Sequence, residues 1–299
     1  MLKKYTCLFA AVLIMSPMLM AQTLEEVVVT AQIREQSLQD VPISISAISG
    51  EDIADRSVDN LQSLSASVPN FMVVETQIDT SISIRGVRSG ANKGFEQSVP
   101  MNFDGISYPR SQLARTPLVD LERVEVLRGP QPTLFGKNAI GGVVNVTSAK
   151  PTEEFEGKFS TSHESEHGED QSLLVLSGAL SESVLGRLTV STREMDGWIT
   201  NTNMKRLEPQ RDETYIRGQL AWTSGDVDYN LKVETADFDS TGYAMEAIAP
   251  QDGYGLVFRG PIAVETTENW VRSSGETFSQ NTMDNFVLTA NYPMDGGGT

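Results

Sequence analysis

The hydrophobic pattern changes period along the chain. Over residues 151–238, and again over 283–292, apolar and polar positions alternate with period two, as in strands that have one apolar face. In 215–222, Ile216, Gly218, Leu220 and Trp222 share a face. In 228–235, Tyr229, Leu231, Val233 and Thr235 share one, with Asn230, Lys232 and Glu234 opposite. Residues 285–292 repeat the pattern, Leu188 and Val190 follow it more weakly, and 173–176 is apolar on both faces. This predicts about six strands, near 155–163, 172–181, 185–196, 213–223, 227–238 and 283–292. Short connections at 181–183 and 224–226 alternate with long ones at 200–212 and 239–282.

Residues 41–150 read differently. Short β runs are predicted at 42–48, 81–86, 99–106, 124–127 and 141–146, with a turn at Asp104-Gly105 and a short helix or turn at the start of 118–127. Ile53, Val58, Leu61, Leu64 and Val68 are spaced as in one helix over 51–67, with Glu51, Asp52 and Asp55 near its start and Pro69-Asn70 as its stop. The fold class is therefore an α+β domain followed by antiparallel strands. Strands of about ten residues with apolar-out, polar-in alternation and interface aromatics fit an outer-membrane barrel. A soluble antiparallel sheet with one wet face has the same alternation. Six such strands leave an open edge.

Composition narrows the function. The 299 residues carry 23 Lys and Arg against 40 Asp and Glu, a net charge of −17. That argues against a basic nucleic-acid surface. The start differs from the rest: Lys3 and Lys4, then an apolar run over 7–15, then Pro17 and Ala21. This order is that of a secretory signal peptide over 1–21, too short to span a bilayer as a helix. Its removal takes two lysines and no acid, so −17 becomes −19, and it takes Cys7, the single cysteine. Disulfides and thiol chemistry are then excluded. GxGxxG and GKS/T loops are missing and no Ser-His-Asp set has support, so an enzyme is disfavoured. His163 and His167 lie among four acids, a metal-like grouping more simply read as solvated charge on an outer hairpin.

The motifs carry a family resemblance. Glu25-Glu26-Val27-Val28-Val29-Thr30-Ala31 resembles a TonB box, a short β-branched segment able to add a strand to a partner's sheet edge. Ile84-Arg85-Gly86, Asp104-Gly105, Val124-Glu125-Val126-Leu127-Arg128-Gly129-Pro130, Leu134-Phe135-Gly136 and Gly141-Gly142-Val143-Val144-Asn145-Val146 occur in the order and spacing of the TonB-dependent outer-membrane receptor plug. The resemblance covers roughly 25–150 in detail and the later strands in pattern. It implies four segments: signal peptide 1–21, TonB box and linker 22–40, plug 41–150 and the first barrel strands 151–299.

Roles for single residues come from the resemblance alone. It implies that Gly86, Asp104, Gly105, Glu125, Gly129, Pro130, Gly136, Gly141, Gly142 and Asn145 are plug architecture, and that Arg85 and Arg128 face glutamates on later barrel strands. It implies a barrel of the large plugged type with twenty-two strands, so this chain is expected to be an N-terminal fragment or truncated product. It places ligand-facing apices near 88–97 and 107–116. The partners it implies are the TonB energy-transducing complex, outer-membrane lipid and a small-molecule ligand, most often a ferric siderophore, with haem, cobalamin and oligosaccharides left open. No cofactor is implied. Passive channels and soluble plug-type binding modules are the competing classes.

Overall fold

The computed structural model describes residues 28–29, 36–37, 41–75, 80–89, 96–108, 110–242, 271–272 and 275–293. Two short strands, β1 (Val28–Val29) and β2 (Gln36–Ser37), pair antiparallel. The next domain runs β3 (Ser44–Ser49), α1 (Gly50–Asp55), α2 (Leu61–Ser65), β4 (Phe71–Glu75), β5 (Thr80–Ile84), β6 (Val87–Arg88), β7 (Met101–Phe103) and β8 (Ile106–Tyr108). A 3-10 turn (Ser111–Arg115), β9 (Leu121–Arg128), α3 (Pro132–Phe135) and β10 (Gly142–Ser148) complete it. One sheet has the order β3-β9-β10-β7-β8, with β10 and β7 parallel; a smaller one has the order β4-β5-β6.

The single helix predicted over 51–67 is two. Ser49 caps α1, its hydroxyl accepting from Asp52 N–H at 3.1 Å, with Glu51 and Asp52 at the positive end. Ser57 then turns left-handed at φ +51°. Asn60 restarts the helix through a reciprocal cap with Ser63. Periodicity survives the break because Ile53, Val58, Leu61, Leu64 and Val68 are all buried in one core. The predicted Asp104-Gly105 turn joins β7 to β8 with φ of +48° and +79°, the two positive angles that a tight hairpin turn of this hand requires. The start of 118–127 is not helical, and β9 begins at Leu121. Strand β4 and the 3-10 turn were not predicted.

After the domain come β11 (Glu156–Glu164), β12 (Glu169–Ser181), β13 (Val184–Met195), β14 (Ile199–Asn201), β15 (Arg206–Glu208), β16 (Gln210–Ser224), β17 (Val227–Thr241), β18 (Val271–Arg272) and β19 (Phe278–Asn291). Six of them form one antiparallel sheet, β11-β12-β13-β16-β17-β19, at the places predicted. The connection predicted over 200–212 holds β15 and overlaps the end of β14 and the start of β16; β14 and β15 pair with each other, and β14 also pairs with β18.

The register gives each face its chemistry. Leu176, Leu188, Gly218, Val233 and Phe286 align across five strands. Leu188, Val233 and Phe286 of that row are exposed, Phe286 at 71%. One residue earlier or later, Val175, Thr189, Arg217, Glu234 and Asn285 align on the other face. There Thr189, Arg217 and Glu234 are buried. The apolar face is thus the open one and the polar face the covered one, the reverse of a soluble half-wet sheet. Trp222 and Tyr229 stack at 5.3 Å beside the short β16–β17 turn. The α+β domain covers the polar face. Tyr215, Ala236, Phe238 and Met283 of the sheet join the core built by α1, α2, β4, β5, β7, β9 and β10.

Candidate functional site

The seam between the domain and the sheet holds the densest set of buried charges. Asp120 stands just before β9 at φ +52°. Its carboxylate accepts from Arg187 Nε at 2.9 Å, from Arg217 Nη2 at 3.0 Å and from the Thr189 hydroxyl. Arg217 Nη2 also donates to the Asp120 carbonyl oxygen. Burial pushes the Asp120 carboxyl up, but the Arg187 hydrogen bond and the Arg217 charge outweigh it, so the group is held below the usual carboxylate range.

Asp104, at the tip of the β7–β8 hairpin, makes the second contact. It accepts from the Ser148 N–H and hydroxyl, both at 2.8 Å, and from Lys232 Nζ at 2.6 Å. Lys232 lies 3.1 Å from Glu234 and 4.5 Å from the Phe103 ring centroid. Glu234 accepts from the Tyr215 hydroxyl at 2.6 Å and from Asn285 at 2.9 Å, and Asn285 donates to the Tyr108 hydroxyl at 3.1 Å. Burial and the Glu234 charge push the Tyr108 phenol upward. A third group lies toward the other end. Arg115 is 3.5 Å from both Glu75 and Glu213, Arg211 is 3.0 Å from Glu75, and Gln171 donates to Asp59 at 2.6 Å. A cavity of about 30 Å³ lies among these side chains, Thr80 and Arg193.

Such buried pairs add little net stability over apolar packing, but removing one partner costs about 3–5 kcal/mol. What the arrangement provides is a specific, charge-matched attachment of the domain to the sheet.

Apart from Asp104 in its turn, the residues singled out by sequence fall elsewhere. Arg85 and Gly86 form the exposed β5–β6 turn, at φ +51° and +82°. Arg128 donates to the carbonyl oxygens of Pro69 and Ile45 at 3.2 and 3.4 Å, inside the domain. Glu125 and Asn145 face each other across β9 and β10 at 3.1 Å, with Arg123 Nε 2.9 Å from Glu125. Gly129 donates to the Gly141 carbonyl oxygen at 3.0 Å, followed by Pro130, and Gly136 ends α3. Gly142, at φ +148°, is where a side chain has no room: a Cβ would lie 2.2 Å from the Leu127 carbonyl oxygen. In the TonB-box segment, Val28 and Val29 form β1, whereas Glu25, Glu26, Val27, Thr30 and Ala31 lie outside the described residues, as does segment 1–21. His163 pairs with Asp170 at 2.8 Å and His167 with Glu164 at 2.9 Å, so the histidines serve separate carboxylates.

Sequence reading named Asp104 for its turn and missed Asp120, Arg187, Arg217, Lys232 and Glu234 as a contact set. The signal was present. Both charge signs on one face of strands whose other face is apolar require a polar partner over that face.

An α+β domain seated on the polar face of an antiparallel sheet whose apolar face is open resembles the arrangement of a plugged outer-membrane barrel. Residues 37–143 match the family described as the TonB-dependent receptor plug domain. The chain is 36% identical over 185 residues to the iron-regulated outer membrane virulence protein of Vibrio cholerae, covering 56% of this chain and 28% of that protein. It is 26% identical over 211 residues to the ferrienterobactin receptor of Escherichia coli, covering 68% and 28%. The ferric yersiniabactin uptake receptor FyuA of Yersinia pestis shares the fold, with a TM-score of 0.67 at 20% identity over 85% of this chain and 39% of that one. The chain spans little more than a quarter of the length of these curated relatives. It resembles the TonB-dependent outer-membrane receptors: a plug domain followed by strands of the barrel type.

Proposed function

We propose that the protein acts in TonB-dependent uptake of a ferric siderophore across the outer membrane of a Gram-negative bacterium. The observation that carries this reading is the plug domain docked on the polar face of a sheet whose other face is apolar. A blocked barrel needs energy to open, and ligand binding can only shift a population. The work therefore comes from outside the membrane-embedded part. The ligand binds from outside, at apices near 88–97 and 107–116. The TonB complex pairs with residues 25–31 in the periplasm and pulls. Arg85 and Arg128 meet barrel glutamates, and the apolar wall faces lipid. The siderophore assignment draws on relatives that are, by name, receptors for ferric enterobactin and ferric yersiniabactin.

The test is uptake of iron-labelled siderophore by iron-limited cells carrying the gene. Val28→Pro is expected to abolish uptake and leave ligand binding intact, because proline removes a backbone donor needed for strand pairing. Unchanged uptake in that variant contradicts the mechanism. Normal energised uptake of cobalamin without siderophore uptake would overturn the substrate alone.

A further inference from the structure

Among the wall cations, Arg217 has the most one-sided surroundings. It is fully buried. Lys232 has Glu234 on its own strand, Arg193 has Glu169 on the wall, and Arg187 reaches Glu156 as well as Asp120. The carboxylate within ion-pair distance of Arg217 belongs to Asp120, on the plug. Its other oxygen partners are the carbonyls of Val119 and Asp120, again on the plug, and the Tyr215 hydroxyl. Arg211 reaches the plug's Glu75 at 3.0 Å, but Glu75 already has Arg115 beside it.

Asp120 is equally committed. A non-glycine residue at φ +52° holds a strained backbone, and here that conformation leaves the carboxylate receiving donors from two adjacent wall strands. It leads directly into β9, which pairs with both β3 and β10. A hold on Asp120 is therefore a hold on an interior strand of the plug's larger sheet.

We propose that Asp120 is the anchor of the plug, a positioning residue that fixes β9 to wall strands β13 and β16 by neutralising Arg217. The inference rests on reading residues 41–150 as a plug and goes beyond it by naming the attachment. When Asp120 is neutralised, Arg217 loses the carboxylate within ion-pair distance; Glu234, opposite it on β17, is already engaged by Lys232, Tyr215 and Asn285, and the docked state is disfavoured relative to the released one.

The test reports docking without any ligand. Ala236 lies on the inner wall beneath the plug, 1% exposed. In a Cys7→Ala background, Ala236→Cys supplies the single thiol of these 299 residues, read by maleimide labelling of outer membranes from cells that carry the complete gene. Asp120→Asn is expected to raise the labelling rate by about tenfold or more, and Asp120→Glu by less. Adding Arg217→Met to Asp120→Asn is expected to bring the rate back toward that of the parent, because the orphaned charge is gone. A rate for Asp120→Asn equal to the parent's, or a double variant labelled faster than the single, overturns the proposal. If Asp120→Asn fails to reach the membrane, accumulation of the double variant supports the pairing and its failure overturns it. Siderophore uptake plays no part in this readout, so a chain that imports something else leaves the anchor standing.

Discussion

Asp120 and Gly142 show how much single residues decide here. The depressed carboxyl of Asp120 makes docking pH-dependent with a definite sign. Its contribution is complete above the ordinary carboxylate value near 4 and is lost as pH falls through the lower folded value. The groups facing it are Arg187, Arg217 and Thr189, with Glu156 beside Arg187, and neither arginine titrates in this range. The urea midpoint of the plug in detergent is therefore expected to change little from pH 7 to about 4 on account of Asp120, then to fall, and Asp120→Asn is expected to shrink that fall. Gly142 is a steric demand. Gly142→Ala places a methyl group against the Leu127 carbonyl oxygen at φ +148°. It is expected to destabilise the domain by at least about 1–3 kcal/mol in urea unfolding, and an unshifted midpoint would refute the close approach.

At the scale of elements, the two faces of the wall make opposite predictions. Val233 is 45% exposed on the apolar row. Val233→Arg is expected to cost about 2–4 kcal/mol of membrane assembly if this row meets the middle of the bilayer, measured as the fraction folded into lipid vesicles. A cost near zero would place the row outside the hydrocarbon. The wall strands were legible because alternation is a local property: 185–196 was expected and Val184–Met195 formed. The helix over 51–67 was legible as a buried face but not as two pieces. Ser57 and Asn60 break it through one left-handed residue and one reciprocal cap, which a spacing argument does not weigh. Strand β4 escaped because Met72 and Val74 are exposed apolar residues, so Phe71–Glu75 does not alternate in polarity.

For the whole molecule, the six-stranded sheet has β11 and β19 at its two edges among the described residues. A barrel abolishes edges and a sheet does not. The 299-residue chain expressed by itself is therefore expected to lack a folded species that resists SDS without heating. A heat-modifiable band on a gel would contradict this.

The sequence by itself determined which residues of each strand face together, where the hairpins turn, and the family that the glycine-rich plug motifs resemble. Those properties follow from the period of the chain and from the backbone angles that short motifs permit, and both are read within about ten residues. The tertiary structure decided which charges meet. Asp120 and Arg217 are separated by 97 positions, and Asp104 and Lys232 by 128. No local pattern pairs an aspartate before a plug strand with an arginine on a wall strand. Their meeting is fixed when the apolar row turns outward and the polar row, left without water, must find its counterions on the plug.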